Sequence, residues 1–462
     1  MEKFFKYKEH GSNFWREVVG GIITFVAMIY ILPTNAKILS DLGMNSQGVF
    51  AMTALVSAAM CILMGLVANY PIALSAGMGL NAFLTYTIGH GMGFSWQESM
   101  ILLAVSGIVF FVISLTPARE YLMNKIPNDL KYIITGGLGA FLILVGLRSS
   151  NIVVFGNGLP EFGNLADISV LIPFLGIFII IALMFVKNKY VSSLAIPIGV
   201  VLAAIVGISV NYGVSGGNNA SLPAFSSSWG ISGVDEVLFF GFLTGNDKSF
   251  GEMLTEVFTN PISYLAIFSL VFVNLFDTTA TLLAVGKNSG LINEKGELVN
   301  GQRAIVADAV GSLVCAPLGT STVTSFAESN IGVSFGARTG LMAVTVGALF
   351  LLSAFVYPIF SVFSSWSVMA PALICVGGTI FASSVKDIKL SDYRTAISYC
   401  FTLLFIILTY SLSTGLGIGI ICFTLINLVS GRKNENNPAL YIISGLFILS
   451  FALTALLNIL MP

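Results

Sequence analysis

Long apolar segments constrain this chain more than any other feature, because runs of mostly apolar residues follow one another along almost its whole length. A helix needs about 20 apolar residues to cross a bilayer. Only 9% of the 462 residues are charged, whereas about 25% are charged in a soluble domain. We therefore predict an all-α, polytopic membrane protein that lies in a lipid bilayer. The net charge of −1 and the lack of a basic patch predict no nucleic-acid partner.

The apolar segments form two series of seven, separated by a polar stretch at 213–259. The first series lies near residues 15–39, 48–69, 73–89, 98–116, 131–149, 168–187 and 191–212. The second series lies near residues 260–286, 302–318, 320–333, 337–358, 364–384, 392–411 and 412–430. An additional hydrophobic segment at 438–460 closes the chain. The end of the polar stretch, near 250–258, has the pattern of an amphipathic surface helix.

The basic residues predict the orientation of these segments. With residues 1–14 in the cytoplasm and the segments crossing in alternation, the 21 Lys and Arg residues fall in inner loops, except for Lys37, Arg148 and Lys248. Arg119 is assigned to one of those inner loops. Cytoplasmic loops of membrane proteins are enriched in Lys and Arg. We therefore expect a multi-pass protein of the cell membrane, plasma or inner, with a cytoplasmic N-terminus and the long polar stretch outside as an extracytoplasmic loop.

The two series carry signs of an inverted repeat. Seven crossings are an odd number, so the second series starts on the opposite side of the membrane, as in many transporters. Landmarks recur at nearly one offset in the two series: Pro33 with Asp277, Pro71 with Pro317, Asn81 with Glu328, and Gly136 with Gly377. Pro33 and Asp277 are each expected to interrupt the first helix of their half.

Two short segments are poor candidates for ordinary membrane helices. The first reads SAGMGLNAF at 75–83, and the second reads GTSTVTSFAESNIGV at 319–333. Each glycine weakens a helix by about 1 kcal/mol, and β-branched threonines favour extended backbone. Extended backbone is not stable against lipid, because its unpaired polar groups are costly there. We therefore predict that two extended pieces pair with each other near the membrane midplane and that each then turns into a half-helix.

Three carboxylates lie deep in apolar segments, and an intramembrane carboxylate is a candidate functional residue. Glu328 is expected to contact a polar ligand, and a capping box with Ser325 is the alternative. Asp277 is expected to contact substrate or to carry a proton, since a carboxylate removed from water can take up a proton near neutral pH. A structural hydrogen-bond network is the alternative for Asp277. Asp308, with Ser325, is expected to anchor the second short segment through hydrogen bonds.

Other polar residues accompany these carboxylates. Asp277 shares one helical face with Asn274, Thr278 and Thr281, which predicts that this face lines a wet cavity. Asn81 is expected either to bond the edge of a ligand or to cap backbone. Two buried carboxylates and few buried cations suit a neutral or cationic substrate. The five cysteines lack metal-ligand spacing, so we predict neither a metal site nor a cofactor.

Several runs resemble one transporter family, namely AGMGLNAF, NLFDTTATL, ADAVGSLVCAPLGTSTVTSFAESNIGV and GARTGL. They are similar to the AzgA-like adenine/guanine/hypoxanthine permeases of the nucleobase–ascorbate (nucleobase cation symporter 2) superfamily, and the likeness spans essentially the whole chain. The resemblance implies a 7+7 inverted repeat with two half-strand/half-helix segments, the uracil-permease-like fold. It also implies a core domain at 15–116 and 260–358, a gate domain at 131–212 and 364–430, elevator-like movement and a homodimer.

The same resemblance implies roles for individual residues. Glu328 matches the substrate-binding glutamate. Phe326 and Ala327 match the positions that stack on the base and donate a backbone N–H group to it. Asp277 matches the acidic position of the eighth segment, and Asn81 matches the asparagine of the third segment.

These features predict a secondary active transporter, and not an enzyme, that imports purine nucleobases such as hypoxanthine, guanine or adenine with protons. The pair Asp277-Thr278 stands where related uracil carriers have Glu-His, which favours the purine branch. A carrier of uracil, xanthine or another small solute with the same fold is the alternative. Glu328 disfavours an anion carrier, and the loops offer no His cluster or nucleophile–base pair for a membrane enzyme. Two facing half-helices favour alternating access over an open channel.

Overall fold

The chain folds, in a computed structural model, into a bundle of helices with two short two-stranded sheets among its described residues. The structure describes residues 1–116, 119, 127–156, 159–214, 216, 217, 219, 221–226, 229–238, 249–291, 298–431 and 438–460. Eight helices within these ranges are long and apolar enough to cross a membrane. The prediction of a helical, polytopic membrane protein is confirmed.

The elements of the first half follow the predicted segments closely. They are α1 (Glu2–Phe5), α2 (Phe14–Met28), α3 (Ile31–Asp41), α4 (Ser46–Leu63, continued by a π-helical turn at Met64–Ala68), β1 (Leu74–Ala76), α5 (Met78–Ala82, continued by a π-helix at Phe83–Gly91), α6 (Trp96–Leu115), α7 (Asn128–Ser149), β2 (Val153–Gly156), β3 (Leu159–Phe162), α8 (Ile168–Met184), α9 (Lys189–Ser193) and α10 (Ala195–Gly213).

The second half repeats this pattern after two short helices. Its elements are α11 (Val234–Val237), α12 (Phe250–Thr259), α13 (Pro261–Ser289), α14 (Gly301–Val314), β4 (Val323–Ser325), α15 (Ser329–Ser334), α16 (Gly340–Ser353), α17 (Tyr357–Ser361), α18 (Trp366–Asp387), α19 (Tyr393–Thr409), α20 (Leu412–Val429) and α21 (Pro438–Leu460). Helix α12 is the predicted amphipathic helix, and it buries Met253 and Val257 on one face.

One predicted helix break is present and the other is absent. The first membrane segment breaks between α2 and α3, at residues 29 and 30, just before Pro33. The prediction that Asp277 interrupts its helix is wrong, because α13 runs unbroken for 29 residues. An aspartate keeps every backbone hydrogen bond of a helix, whereas proline lacks the N–H group. The Asp277 side chain therefore leaves the backbone hydrogen bonds of α13 intact.

The two short segments pair as predicted. Strands β1 and β4 form an antiparallel pair in which Ser75 lies opposite Thr324. Each strand leads into a short helix, α5 or α15. Gly77 is the N-cap of α5 and Glu328 is the N-cap of α15. The symmetric bonds Gly77 N–H to Thr322 O and Phe326 N–H to Ala73 O make Gly77 and Phe326 equivalent in the repeat. Glu328 then corresponds to Gly79, so the proposed match of Glu328 with Asn81 is two residues out of register.

A second hairpin was not predicted from the sequence. Strands β2 and β3 pair antiparallel after the end of α7. The dipeptide Asn157-Gly158 between them is a strong hairpin signal in the sequence. It is easily overlooked beside the much longer apolar runs.

The long helices pack in two groups. In the first group, α2 and α4 contact α16, and α6 contacts α14; in the second group, α7 and α8 contact α18, and α19 contacts α20. Each group thus combines helices from both halves of the chain, as an inverted repeat requires. The assignment of the first group as a core domain and the second as a gate domain stays a prediction.

The half-helix α15 is held tightly against α2. A Cβ atom added at Gly332 would lie 2.3 Å from Thr24 Oγ1 and 2.6 Å from the carbonyl oxygen of Gly20. Real Cβ atoms do not approach other atoms so closely, so only glycine fits at residue 332. This close approach fixes α15, and with it the N-cap residue Glu328, relative to the first membrane segment.

Candidate functional site

The candidate site is built around the β1–β4 pair, whose ladder extends beyond the strands. The Gly77 N–H group donates to the Thr322 carbonyl at 2.9 Å, and the Phe326 N–H group donates to the Ala73 carbonyl at 3.0 Å. The next residue, Ala327, is exposed. Among the described residues no acceptor lies within bonding distance of the Ala327 N–H group. One backbone donor at the end of the ladder is therefore available to a ligand.

Glu328 lies directly after this donor, at the start of α15. Its side chain is half-buried, and its Oε1 atom accepts a hydrogen bond from the Tyr30 hydroxyl at 2.9 Å. The alternative capping box is absent, because Glu328 makes no side-chain cap bond and Ser325 lies in the strand. Tyr30 is 2% exposed and lies at the break between α2 and α3. One carboxylate oxygen is thus held by Tyr30, and no other side chain in the described ranges bonds to this carboxylate.

Asp308 holds the strand that precedes Glu328. Its Oδ1 atom accepts hydrogen bonds from the Ser325 N–H group at 3.1 Å and from the Ser325 hydroxyl at 2.8 Å. Asp308 is fully buried. Such a carboxylate needs hydrogen bonds and a counter-charge to be stable. The two bonds to one residue fix β4 from the side opposite its partner strand.

The counter-charge is Arg119, which lies 3.7 Å from Asp308 Oδ2 and is only 2% exposed on its side chain. Arg119 is therefore buried among the helices rather than exposed to water in a loop, and its predicted side of the membrane stays a prediction. Its guanidinium also donates to Thr278 Oγ1 at 2.5 Å and to Ser114 Oγ at 3.2 Å. Arg119 is thus a buried cation that the sequence did not reveal. Its ion pair with Asp308 neutralises its charge, so Glu328 and Asp277 still set the net charge at the site.

Asp277 is the carboxylate next to this network. It is half-buried on α13, and within the described part of the chain it makes no hydrogen bond or ion pair. It lies within electrostatic range of both Asp308 and Glu328. Its neighbour Thr278 is fully buried and bonded to Arg119. Thr278 therefore belongs to the Arg119 network and not to the surface that faces a ligand.

The other two polar residues on this face of α13 have different surroundings: one bonds to the structural network and the other lies beside Asp277. Asn274 donates to Ser312 Oγ at 2.9 Å and so joins the structural side. Thr281 is 9% exposed, one turn beyond Asp277. The predicted face is thus only partly a cavity wall. Asp277, with Thr281 beside it, forms the part that can reach a ligand.

Asn81 and Asn35 form the frame behind the strand pair. Both are fully buried, and the Asn81 amide donates to Asn35 Oδ1 at 2.9 Å. Asn35 also donates to Thr53 at 2.8 Å and to Thr320 at 3.1 Å, and it accepts from Ser321 at 2.8 Å. Asn35 therefore joins the first, second, third and tenth membrane segments. The amide nitrogen of Asn81 supports this junction, whereas its buried Oδ1 atom has no hydrogen-bond partner among the described residues.

Sequence reasoning missed Tyr30 and Asn35 as parts of the site. Both lie in the run YILPTNAKIL beside Pro33, which marks the helix break. A polar side chain beside a break in a membrane helix is the signal that was available, because broken membrane helices line cavities.

The resulting arrangement offers three kinds of contact at one place. Glu328 supplies a carboxylate acceptor, Ala327 supplies a backbone donor, and Phe326 supplies an aromatic ring. Phe326 is 8% exposed and makes no ring contact with another described aromatic residue. Such a set fits a flat polar molecule that carries N–H donors and acceptors on its edge. No group of three His, Cys, Asp or Glu residues that fits a metal ion occurs in the described ranges.

Comparison with protein families gives one match over almost the whole chain. Residues 16–458 match the model of the Permease family, Xan_ur_permease. The guanine/hypoxanthine permease PbuG of Bacillus subtilis (strain 168) is 35% identical over 98% of this chain and 99% of its own length. The adenine permease AdeP of Escherichia coli (strain K12) is 34% identical over 97% of this chain and 95% of its own length. The resemblance to purine permeases is therefore confirmed.

Solved structures support the fold. The transmembrane domain of the cyanobacterial bicarbonate transporter BicA superposes with a TM-score of 0.59 at 13% identity and covers 88% of this chain and 97% of that domain. The murine anion transporter Slc26a9, in an inward-facing state, gives a TM-score of 0.63 at 8% identity over 90% of this chain and 69% of its own. At such low identity these matches speak for the shared fold alone, and the predicted fold class is confirmed.

Proposed function

Because the chain belongs to the Permease family, a family of membrane transporters, we propose that it imports purine nucleobases, among them hypoxanthine, guanine or adenine, by secondary active transport. The observation that carries this proposal is the Glu328 carboxylate, which Tyr30 holds at the end of the β1–β4 pair. The printed names of its relatives, which are guanine/hypoxanthine and adenine permeases, point to the same class of substrate.

In this proposal the base lies beside the strand pair with its edge toward Glu328. The free carboxylate oxygen accepts ring or exocyclic N–H groups of the purine, and the Ala327 N–H group donates to a ring nitrogen or carbonyl oxygen. Phe326 stacks on the flat face of the base, which contributes about 1–3 kcal/mol in comparable aromatic contacts. The amide nitrogen of Asn81 holds Asn35, and its unpartnered Oδ1 atom is the proposed acceptor for a further N–H group on the edge of the base.

Asp277 is the proposed proton carrier, with Glu328 as its partner in coupling. Uphill transport of a neutral base needs a coupled ion, and Asp277 makes no described bond that would have to break when it gains or loses a proton. Asp308 differs, because its ion pair with Arg119 and its hydrogen bonds from Ser325 would be disturbed by such a change. The chain thus offers one buried carboxylate for structure and two for transport.

The proposed transport cycle uses the two packing groups. The first group is the proposed core domain, which contains the central site. The second group is the proposed gate domain, and it also forms the interface of the proposed homodimer. The core domain moves past the gate in an elevator-like step, which exposes the site to each side in turn. The N-terminus is proposed to be cytoplasmic in the cell membrane, as the distribution of Lys and Arg predicts.

A carrier of uracil or xanthine is the second candidate, since those bases carry the same N–H and carbonyl groups. An anion carrier is disfavoured despite the fold shared with bicarbonate and anion transporters. An anion next to Glu328 and Asp277 would meet two carboxylates at short range in a medium of reduced dielectric constant.

Uptake into proteoliposomes tests the proposal. We expect an inward proton gradient to drive accumulation of labelled hypoxanthine, and excess unlabelled guanine or adenine to block it. Glu328→Gln keeps the size of the side chain and removes its charge, and it should abolish uptake. Uptake that does not depend on the proton gradient would refute proton symport. Uptake of uracil or xanthine, but not of hypoxanthine, guanine or adenine, would instead support the second candidate function.

A further inference from the structure

Two adjoining cavities open at the distal end of the bundle, which is the end where α3 terminates, opposite the N-terminus. Their volumes are about 760 and 440 Å³, and both are lined by Ser149, Asn151 and Trp366. We call the joined space the distal vestibule. A volume of this size is typical of sites for small molecules. None of its lining residues belongs to the central site around Glu328.

The distal vestibule lies between the two packing groups. Asp41 ends α3, which packs on α4 of the first group, and Tyr86 lies in the π-helix that continues α5. Arg148, Trp366 and Tyr410 lie at the end of α7, at the start of α18 and directly after α19, in the second group. The lining residues therefore come from helices on both sides of the space.

Asp41 ties the two groups together across the vestibule. Its Oδ2 atom accepts from the Tyr86 hydroxyl at 2.8 Å and from Trp366 Nε1 at 3.1 Å. Its Oδ1 atom pairs with Lys37 at 3.0 Å. The lysine charge is thus balanced, and the indole of Trp366 is fixed in one orientation.

Trp366 offers a flat surface that no other ring covers. It is half-buried, it packs on apolar neighbours, and among the described residues it makes no contact with another aromatic ring. Tyr410 differs, because the Arg148 guanidinium lies 4.3 Å from the centre of its ring. Tyr410 also holds a left-handed backbone, with φ of 50°, and such strain is concentrated at functional positions. In the vestibule, the Trp366 ring is therefore available for stacking, whereas the Tyr410 ring is already covered by Arg148.

We infer that the distal vestibule is a second binding site for a planar, uncharged heterocycle, stacked on Trp366 with its polar edge toward Asp41, Ser149 and Asn151. Asp41 accepts from ring N–H groups, while the serine and asparagine donate to carbonyl oxygens or ring nitrogens. An anion is disfavoured, because Asp41 lies at the platform and both nearby cations are engaged. The inference rests on the proposed function, since it makes the transported base the occupant.

Equilibrium binding of labelled hypoxanthine to the purified full-length protein tests the inference. We expect two classes of site in the wild type, a tighter central class and a weaker vestibule class. Trp366→Leu should weaken the second class by roughly 5- to 150-fold, the range expected for loss of one stacked aromatic ring. Trp366→Phe keeps a ring face and should weaken it less. Trp15→Leu, at a tryptophan that is 72% exposed near the N-terminus, is the matched control.

Glu328→Gln separates this inference from the proposed function. It should remove the tighter class and leave the weaker one. The tighter class retained in Trp366→Leu shows that this variant is folded. A wild type with one class that Trp366→Leu leaves intact overturns the second site while the transporter proposal stands. A wild type that binds no purine overturns the proposed function, and the inference falls with it.

Discussion

The hydrogen bond from Tyr30 to Glu328 gives the most specific test of the site's geometry. Tyr30→Phe removes a single hydroxyl group and keeps the ring that packs at the helix break. The Tyr30 hydroxyl lies 2.9 Å from Glu328 Oε1 and is the described donor to that carboxylate from another side chain. Without it the carboxylate is free to rotate away from the direction in which the base is proposed to lie.

The size of the effect follows from the type of bond. Hydrogen bonds to charged groups contribute about 1.5–3 kcal/mol. Glu328 is half-buried and so partly solvated, which places the loss near the lower end, at about 1.5–2 kcal/mol. Since each 1.4 kcal/mol corresponds to about tenfold in affinity, Tyr30→Phe should weaken purine binding by about 10- to 30-fold.

Binding of labelled hypoxanthine to purified protein measures this loss. Tyr70→Phe is the matched control, because Tyr70 is equally buried and donates to the Val299 carbonyl at 2.5 Å, away from the candidate site. The control should keep its affinity within about twofold, since no group at the site changes. If Tyr30→Phe binds purine as tightly as the wild type, Tyr30 does not position Glu328, and the reasoning is refuted.

Three further changes test other parts of the structure. Gly332→Ala should lower the free energy of unfolding by about 1–3 kcal/mol through overpacking of α15 on α2, whereas Gly445→Ala, where nothing lies within 4 Å of the new Cβ, should leave the thermal midpoint unchanged. Arg119→Leu should cost about 3–5 kcal/mol by leaving a buried carboxylate unpaired, and adding Asp308→Asn should restore part of the loss in a denaturation series. Asp277→Asn should abolish proton-driven uptake of hypoxanthine but preserve exchange of labelled for unlabelled base; loss of both would assign Asp277 to binding rather than coupling.

Those parts of the fold that a bilayer dictates were predictable from the sequence. The length of a membrane helix sets the length of each apolar run, so the positions of the long helices followed directly. The β1–β4 pair followed from the same constraint, because glycines and β-branched residues between apolar runs leave paired extended backbone as the stable solution. Neither inference needs knowledge of which residues are neighbours in space.

The errors have a common physical cause, which is that partners distant in the chain decide the role of a polar residue. Arg119 looks like a loop cation by position, but its partner Asp308 lies far along the sequence. Tyr30 in an apolar run is indistinguishable from a core tyrosine until Glu328 is placed beside it. Asp277 was expected to break a helix because it matches Pro33 in the repeat, but α13 is unbroken at this residue. Local patterns therefore singled out residues that lie close together in the fold, but they did not predict which of these residues bond to one another.

A structure of the protein with hypoxanthine bound tests the central claim most directly. The account predicts the base beside the β1–β4 pair, with its edge on the Glu328 carboxylate and the Ala327 N–H group and with Phe326 against its face. A base found elsewhere, with Glu328 bonded only to Tyr30 and no ligand contact at Ala327, would contradict the account.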